Sequence, residues 1–176
     1  MKHAALNFRA ADTSDVPALV ELVTSAYRGE VSRQGWTTEA DLLDGERIDP
    51  DVIRADLAHP HSQVIIAERE GDMVACALVT QEGDAGYFGM FAVRPNLQGA
   101  GLGKQVLAEA ERIVRDVWCL PLLRMAVIDL REELLAFYQR RGYRRTGVHR
   151  PFPYGDARFG LPKRDDLRFE ILEKSL

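Results

Sequence analysis

The residues whose types and spacing most directly suggest chemistry are Gln98-Gly99-Ala100-Gly101-Leu102-Gly103-Lys104. They join an apolar run, Gly86 to Val93, to a segment where Leu102, Val106, Ala110, Ile113 and Val117 recur every three or four residues. The run reads as a buried strand ended by Arg94-Pro95-Asn96, and the recurrence predicts an amphipathic helix that begins inside the glycines. The first N–H groups of a helix have no partner within it, and the helix dipole adds partial positive charge there. Glycines let a ligand approach this backbone and permit positive φ. Binding a phosphate-bearing ligand is the chemistry such a turn serves.

Spacing narrows the choice of ligand. A P-loop would put its leading glycine where Gln98 stands and its hydroxyl residue where Gln105 stands, which disfavours a kinase-like phosphate site. The dinucleotide fingerprint G-x-G-x-x-G fails as well, because Gly99, Gly101 and Gly103 are spaced two and two. What fits is Gln-x-x-Gly-x-Gly after a strand ending Phe91-Ala92-Val93. The bland alternative, a glycine-rich helix start with no ligand, would place poor helix formers there without purpose.

A second group, Trp36, Glu39, Asp41 and Arg47, lies in a stretch longer than a simple helix-to-strand connection needs. Two readings stand. Residues 28–60 form a solvated helical connection with one tryptophan pinned to the core, or they form a specificity wall. In the second, Glu39 and Asp41 attract an amine, Trp36 packs on it and Arg47 meets a carboxylate, with the Pro151–Phe159 loop helping. His59-Pro60-His61 offers two imidazoles without a third ligand, so a surface turn is expected and no metal is assigned. Cys76 and Cys119 read as small buried apolar residues rather than a disulfide or metal pair.

The elements that must hold these groups emerge from pattern. Phe8 to Ala11 reads as a first strand, and Asp12 to Asp15 supply caps for a helix running to about Tyr27. A short helix is expected from Thr37 or Thr38 to Leu43. Asp49-Pro50 opens another, through about Leu57. Strands at 64–67, 73–80 and 86–93 are joined by short turns with Gly and Asp, which implies antiparallel neighbours. Leu122 to Ile128 comes after a helical crossover and pairs in parallel with the strand before it. A helix from about Arg131 to Arg141 stops at Gly142, and residues 143–147 and 167–173 form a last strand pair.

Bulk properties set the limits. A chain of 176 residues suits one domain, 1–176, and its 46% hydrophobic content excludes a disordered chain. A net charge of −4 with dispersed Lys and Arg argues against nucleic acid. The N-terminal stretch lacks the apolar core of a signal peptide, and no apolar run reaches membrane-spanning length, so a cytoplasmic protein without a membrane partner is expected.

The turn Gln98 to Lys104, with Phe137-Tyr138-Gln-Arg-Arg-Gly142-Tyr143 downstream, resembles the signatures of the GNAT superfamily of N-acetyltransferases. The resemblance covers nearly the whole chain, strongest over 86–147 and weakest over 28–60. It implies an α/β (α+β) fold: a mixed, mostly antiparallel central sheet with a splayed parallel strand pair and flanking helices. It implies acetyl-CoA as cofactor, its pyrophosphate on the amides of 98–104, its pantetheine arm in the gap between the splayed strands beside Phe91, Ala92 and Val93. Tyr138 matches the tyrosine that protonates the departing thiolate. Some members carry a glutamate base on the strand before the turn; none stands between Gly86 and Val93, leaving Glu39, Asp41 or ordered water. Asp129 stands where the family usually has an asparagine against the pantetheine arm, and a carboxylate cannot donate like an amide. The expected activity is acetyl transfer to a primary amine of a small molecule, with a homodimer allowed. Protein lysine or N-terminal acetylation and a non-catalytic acyl-CoA-binding module are the alternatives.

Overall fold

The computed structural model describes residues 5–176; the first four residues of the N-terminal stretch lie outside the described residues. Strand β1 (Asn7–Ala10) leads to a single 3-10 turn in which the Asp12 carboxylate accepts from Ser14 N–H and Asp15 answers to Asp12 N–H. This reciprocal cap launches α1 (Val16–Tyr27), which buries Val16, Leu19, Leu22, Val23 and Ala26. Then come α2 (Gly29–Ser32), β2 (Leu43–Asp44) and α3 (Pro50–Ala58), the last capped by Asp49, which accepts from Asp51 N–H at 2.7 Å. The meander β3 (Ser62–Arg69), β4 (Asp72–Glu82) and β5 (Ala85–Val93) precedes α4 (Leu102–Arg112). The chain closes with β6 (Leu122–Ile128), α5 (Glu132–Gln139), β7 (Arg144–Pro151), β8 (Leu161–Pro162) and β9 (Arg168–Ser175).

Among the described residues seven strands form one sheet in the order β1-β3-β4-β5-β6-β9-β7, and only β5 and β6 run parallel. Both faces are covered, with α4 and α5 on one and α1 and α3 on the other. Ile65 and Ala67 therefore join one apolar cluster and Val64 and Ile66 the other, so these strands lack alternation in sequence.

Two irregularities open the centre of the sheet. The β5–β6 ladder holds only from Ala85–Tyr87 to Leu122–Arg124, and beyond it the strands part. In the β4–β5 ladder Cys76 faces Ala92 while Leu78 faces Gly89, so β5 carries one extra residue there. Met90, at φ +47°, takes up this bulge, which bends β5 away from β6.

Three expectations are corrected. Residues 37–43 are not a helix: Leu42 and Leu43 N–H both return to Glu39 O, and Leu43–Asp44 then pairs antiparallel with Leu161–Pro162. Val117 is 59% exposed rather than core, because α4 widens into a π-turn over Ile113–Val117, with Trp118 N–H bonded to Ile113 O. The widening buries Val114 instead, against Gly86, where a Cβ would sit 2.6 Å from a Val114 methyl. Cys119 is exposed at φ +55°, whereas Cys76 is buried, its thiol pushed up to about 12.

Candidate active site

The first cavity, about 270 Å3, opens where β5 leaves β6. Phe91, Ala92, Val93, Gln98, Gly99, Gly101, Gly103 and Lys104 line it, so the strand end and the glycine turn share one wall. Gly99 and Gly101 adopt φ of +85° and +78°, and a Cβ on either would meet nothing within 4 Å. Their role is backbone conformation, not space. Gly103 differs: a Cβ there would stand 3.1 Å from the Phe91 ring. No side chain caps α4, and its first bond back to the turn is Gln105 N–H to Gly101 O at 3.3 Å. The amides of Leu102, Gly103 and Lys104 precede that bond, which leaves a donor set suited to an anion. Gln98 anchors the turn by donating to Val93 O at 3.2 Å, while its Oε1 is buried without a partner. Of the turn residues, Ala100 does not line the cavity, and Leu102 turns its side chain into the core, offering only backbone.

Arg140 and Arg141 also line this cavity, two residues that the sequence reading leaves without a role. Arg141 packs its guanidinium 3.6 Å from the Phe137 ring centre and donates to Phe137 O at 2.7 Å. With Lys104 they add three cations to the helix-start amides. The signal is the doubled arginine just before Gly142, between Tyr138 and the helix stop.

The second cavity, about 70 Å3, lies between the splayed strands and shares Tyr27, Phe91, Arg131, Leu134 and Tyr138 with the first. Tyr138 is buried on α5, its ring against Phe137 and Tyr143 at 5.3 and 5.8 Å. Burial pushes its hydroxyl well above the ordinary tyrosine value, so it holds its proton at any physiological pH. Tyr27 is half-buried, and its hydroxyl donates to Phe91 O and is thereby committed to fixing the bulged strand. Sequence alone marks it only as the end of a helix.

Glu39 is the one carboxylate lining this second cavity among the described residues. It accepts from Arg28 Nη1 at 2.6 Å and Arg131 Nη1 at 3.0 Å, with Arg47 Nε at 3.8 Å. Burial alone would raise its carboxyl, but Arg131, Arg47 and Arg28 together hold it below the usual range. It is a locked counter-ion rather than a free base. The sequence signal for Arg131 is a cation just before a helix, where the dipole opposes it. Glu39 supplies the compensation.

The third cavity, about 520 Å3, continues from the second through Glu39, Arg47, Phe88, Gly89, Met90, Ala126, Ile128 and Phe169. The 151–159 loop reaches it through Pro151, Phe152, Pro153, Arg158 and Phe159. The predicted wall thus divides. Glu39 and Arg47 line the second and third cavities. Trp36 instead lines the first with Gln98, its ring 5.5 Å from Phe137, because Gly35 packs directly on the Gln98 side chain. Asp41 lines none of the three and pairs with Arg33 at 2.8 Å in solvent. Asp129 also lies off the cavities, accepting from Arg168 at 2.5 Å with His149 at 3.8 Å. His59 Nδ1 accepts from His61 N–H, closing the turn that leads into β3.

No curated protein sequence matches the chain. Among solved structures it is similar to an IAA acetyltransferase from Bacillus cereus (16% identity, 98% of this chain and 100% of the other covered, TM-score 0.66). It is also similar to a GNAT family acetyltransferase from Elizabethkingia anophelis with acetyl-CoA bound (14%, 100% and 100%, 0.67). A mutant spermidine N-acetyltransferase from Vibrio cholerae matches likewise (12%, 97% and 93%, 0.69). These identities carry the fold: a mostly antiparallel sheet containing one parallel pair, flanked by helices. The model of the acetyltransferase (GNAT) family matches residues 18–143, and the chain belongs to that family.

Proposed function

We propose that this chain transfers an acetyl group from acetyl-CoA to the primary amine of a small molecule. The observation that carries the reading is the continuity of the three cavities: a glycine turn built for phosphate opens, past Tyr138, into a second chamber of different chemistry. The residues present fit the cofactor. The α4 amides, Lys104, Arg140 and Arg141 suit its phosphates, and the β5–β6 gap suits its narrow arm. Acetyl-CoA supplies an acyl group on a thiol that can leave.

The protein's part is positioning and proton traffic. The amine nitrogen forms a bond to the acyl carbon as the carbon–sulfur bond breaks. Tyr138 gives its proton to the sulfur, and the proton lost by the nitrogen goes to water, which restores the tyrosine. Glu39, held by three arginines, is not available as base. The surplus of guanidinium over carboxylate favours the neutral amine instead, since like charge disfavours the ammonium. The amine thus arrives as its free base.

Incubation with acetyl-CoA and pooled amines tests this, reading free thiol and the mass that gains an acetyl group. Matched thiol release and acetylated amine is expected. Thiol release without an acetylated amine, or none at all, would overturn it.

A further inference from the structure

Resting on the transferase reading, we infer that the acceptor is an amino acid: a primary amine beside a carboxylate on a large apolar body. The third cavity and the charged side chains it leaves unsatisfied point to such an acceptor.

Most of the ions there are already matched. Arg28 is spent on Glu39, and Arg158 grips Asp156 at 2.6 Å. Arg47 is different. Half-buried, its guanidinium stacks on the Tyr27 ring at 4.5 Å, and its one ion pair among the described residues is the 3.8 Å approach to Glu39. Both Glu39 oxygens already accept shorter bonds, from Arg131 and Arg28. Arg150, exposed on β7, has no ion pair among the described residues and lines the same cavity near Tyr87. Asp56 is the one lining acid without an arginine partner, and burial holds its carboxyl above its ordinary value. The remaining balance is positive.

Position makes that balance specific. Arg47 lines both the junction chamber and the outer one, so an amine at the junction puts an α-carboxylate within its reach. A planar fork of donors matches a carboxylate. The other walls are apolar: Phe88, Phe152, Phe159 and Phe169 surround the space, with Phe159 left 46% exposed. An apolar body would cover that surface. A polyamine would bring cations to cations, with no apolar mass to bury.

The test compares kcat/KM on the full chain for L-phenylalanine, 2-phenylethylamine (the same body without carboxylate), glycine and spermidine. L-phenylalanine should exceed 2-phenylethylamine by about 10- to 150-fold, the worth of one charge-assisted contact, and should also exceed glycine, which lacks the apolar body, and spermidine, which lacks the carboxylate. Arg47→Ala should collapse the preference over 2-phenylethylamine. Because that change also disturbs the Glu39 cluster, Arg150→Glu provides an exposed variant that reverses charge without touching the core. It should lower the L-phenylalanine preference several-fold, and Arg150→Lys should restore it. If 2-phenylethylamine, glycine or spermidine equals L-phenylalanine, the inference fails while amine acetylation stands. If acetyl-CoA binds yet no amine in the panel is acetylated, the transferase reading fails and takes the inference with it.

Discussion

The first and third cavities are joined by the small chamber that Tyr138 lines, but they are built by opposite means. The first is largely local: residues 91–104 supply the strand end, turn and helix start, and 134–141 supply the facing helix. Its donors are backbone amides whose direction is fixed by two glycines at positive φ. The outer cavity is assembled from residues 28, 39, 47, 87–90, 126, 128, 150–153, 158 and 159, held in place by ion pairs and aromatic contacts. Backbone donors recognise a shared group such as phosphate, and side-chain networks distinguish one acceptor from another. The contrast implies that variants in the two regions should damage different kinetic constants.

Tyr138→Phe, at the meeting point, should give the largest effect. Turnover should fall roughly 10²–10⁴-fold where chemistry is rate-limiting, with acetyl-CoA KM nearly unchanged. Unchanged turnover would reduce Tyr138 to packing. On the acceptor side, Glu39→Ala leaves three guanidiniums without their buried counter-ion and should destabilise the fold by about 3–5 kcal/mol, read as a lower Tm. The Glu39 carboxyl is depressed in the folded state. Its contribution is therefore complete above the unfolded value of about 4.3 and lost as pH falls through the lower folded one. A variant as stable as the parent would break the claim that one buried carboxylate ties this wall together.

On the cofactor side, Gly101→Asp adds strain and negative charge at the helix start and should weaken acetyl-CoA binding by about tenfold or more by titration calorimetry. Undiminished affinity would move the phosphate site elsewhere. The smallest effect lies in the pH profile. With no free enzyme base, kcat/KM for the amine should climb until the amine's own pKa. No descending limb should appear near the ordinary tyrosine value of ~10, because burial raises Tyr138. A plateau below neutrality would reveal a base.

The same contrast explains what the sequence disclosed. The glycine turn stands out in sequence because spacing alone separates it from a P-loop, Tyr138 because it sits in a contiguous motif, and both line the first cavity. The run β3-β4-β5-β6 could be read from turn lengths and one helical crossover, whereas β1 beside β3 and β9 between β6 and β7 could not. Glu39 could be seen as a charge, but not that Arg131, distant in sequence, would claim it. Trp36 reads from sequence as an acceptor contact, and the packing of Gly35 on Gln98 sends it to the first cavity instead of the third. Neither the bulge at Met90 nor the π-turn at the end of α4 has a local sequence mark, since both serve the register of neighbouring strands and helices. Long-range charge pairing and register are what periodicity cannot report.

The two regions open to one another through the chamber that Tyr138 lines, between the parted ends of β5 and β6. A crystal structure with acetyl-CoA bound tests it most directly. The expected result is pyrophosphate on the 99–104 turn, the arm between β5 and β6, and the thioester sulfur within hydrogen-bonding reach of Tyr138. An arm that runs outside the gap, with the sulfur remote from Tyr138, would contradict it.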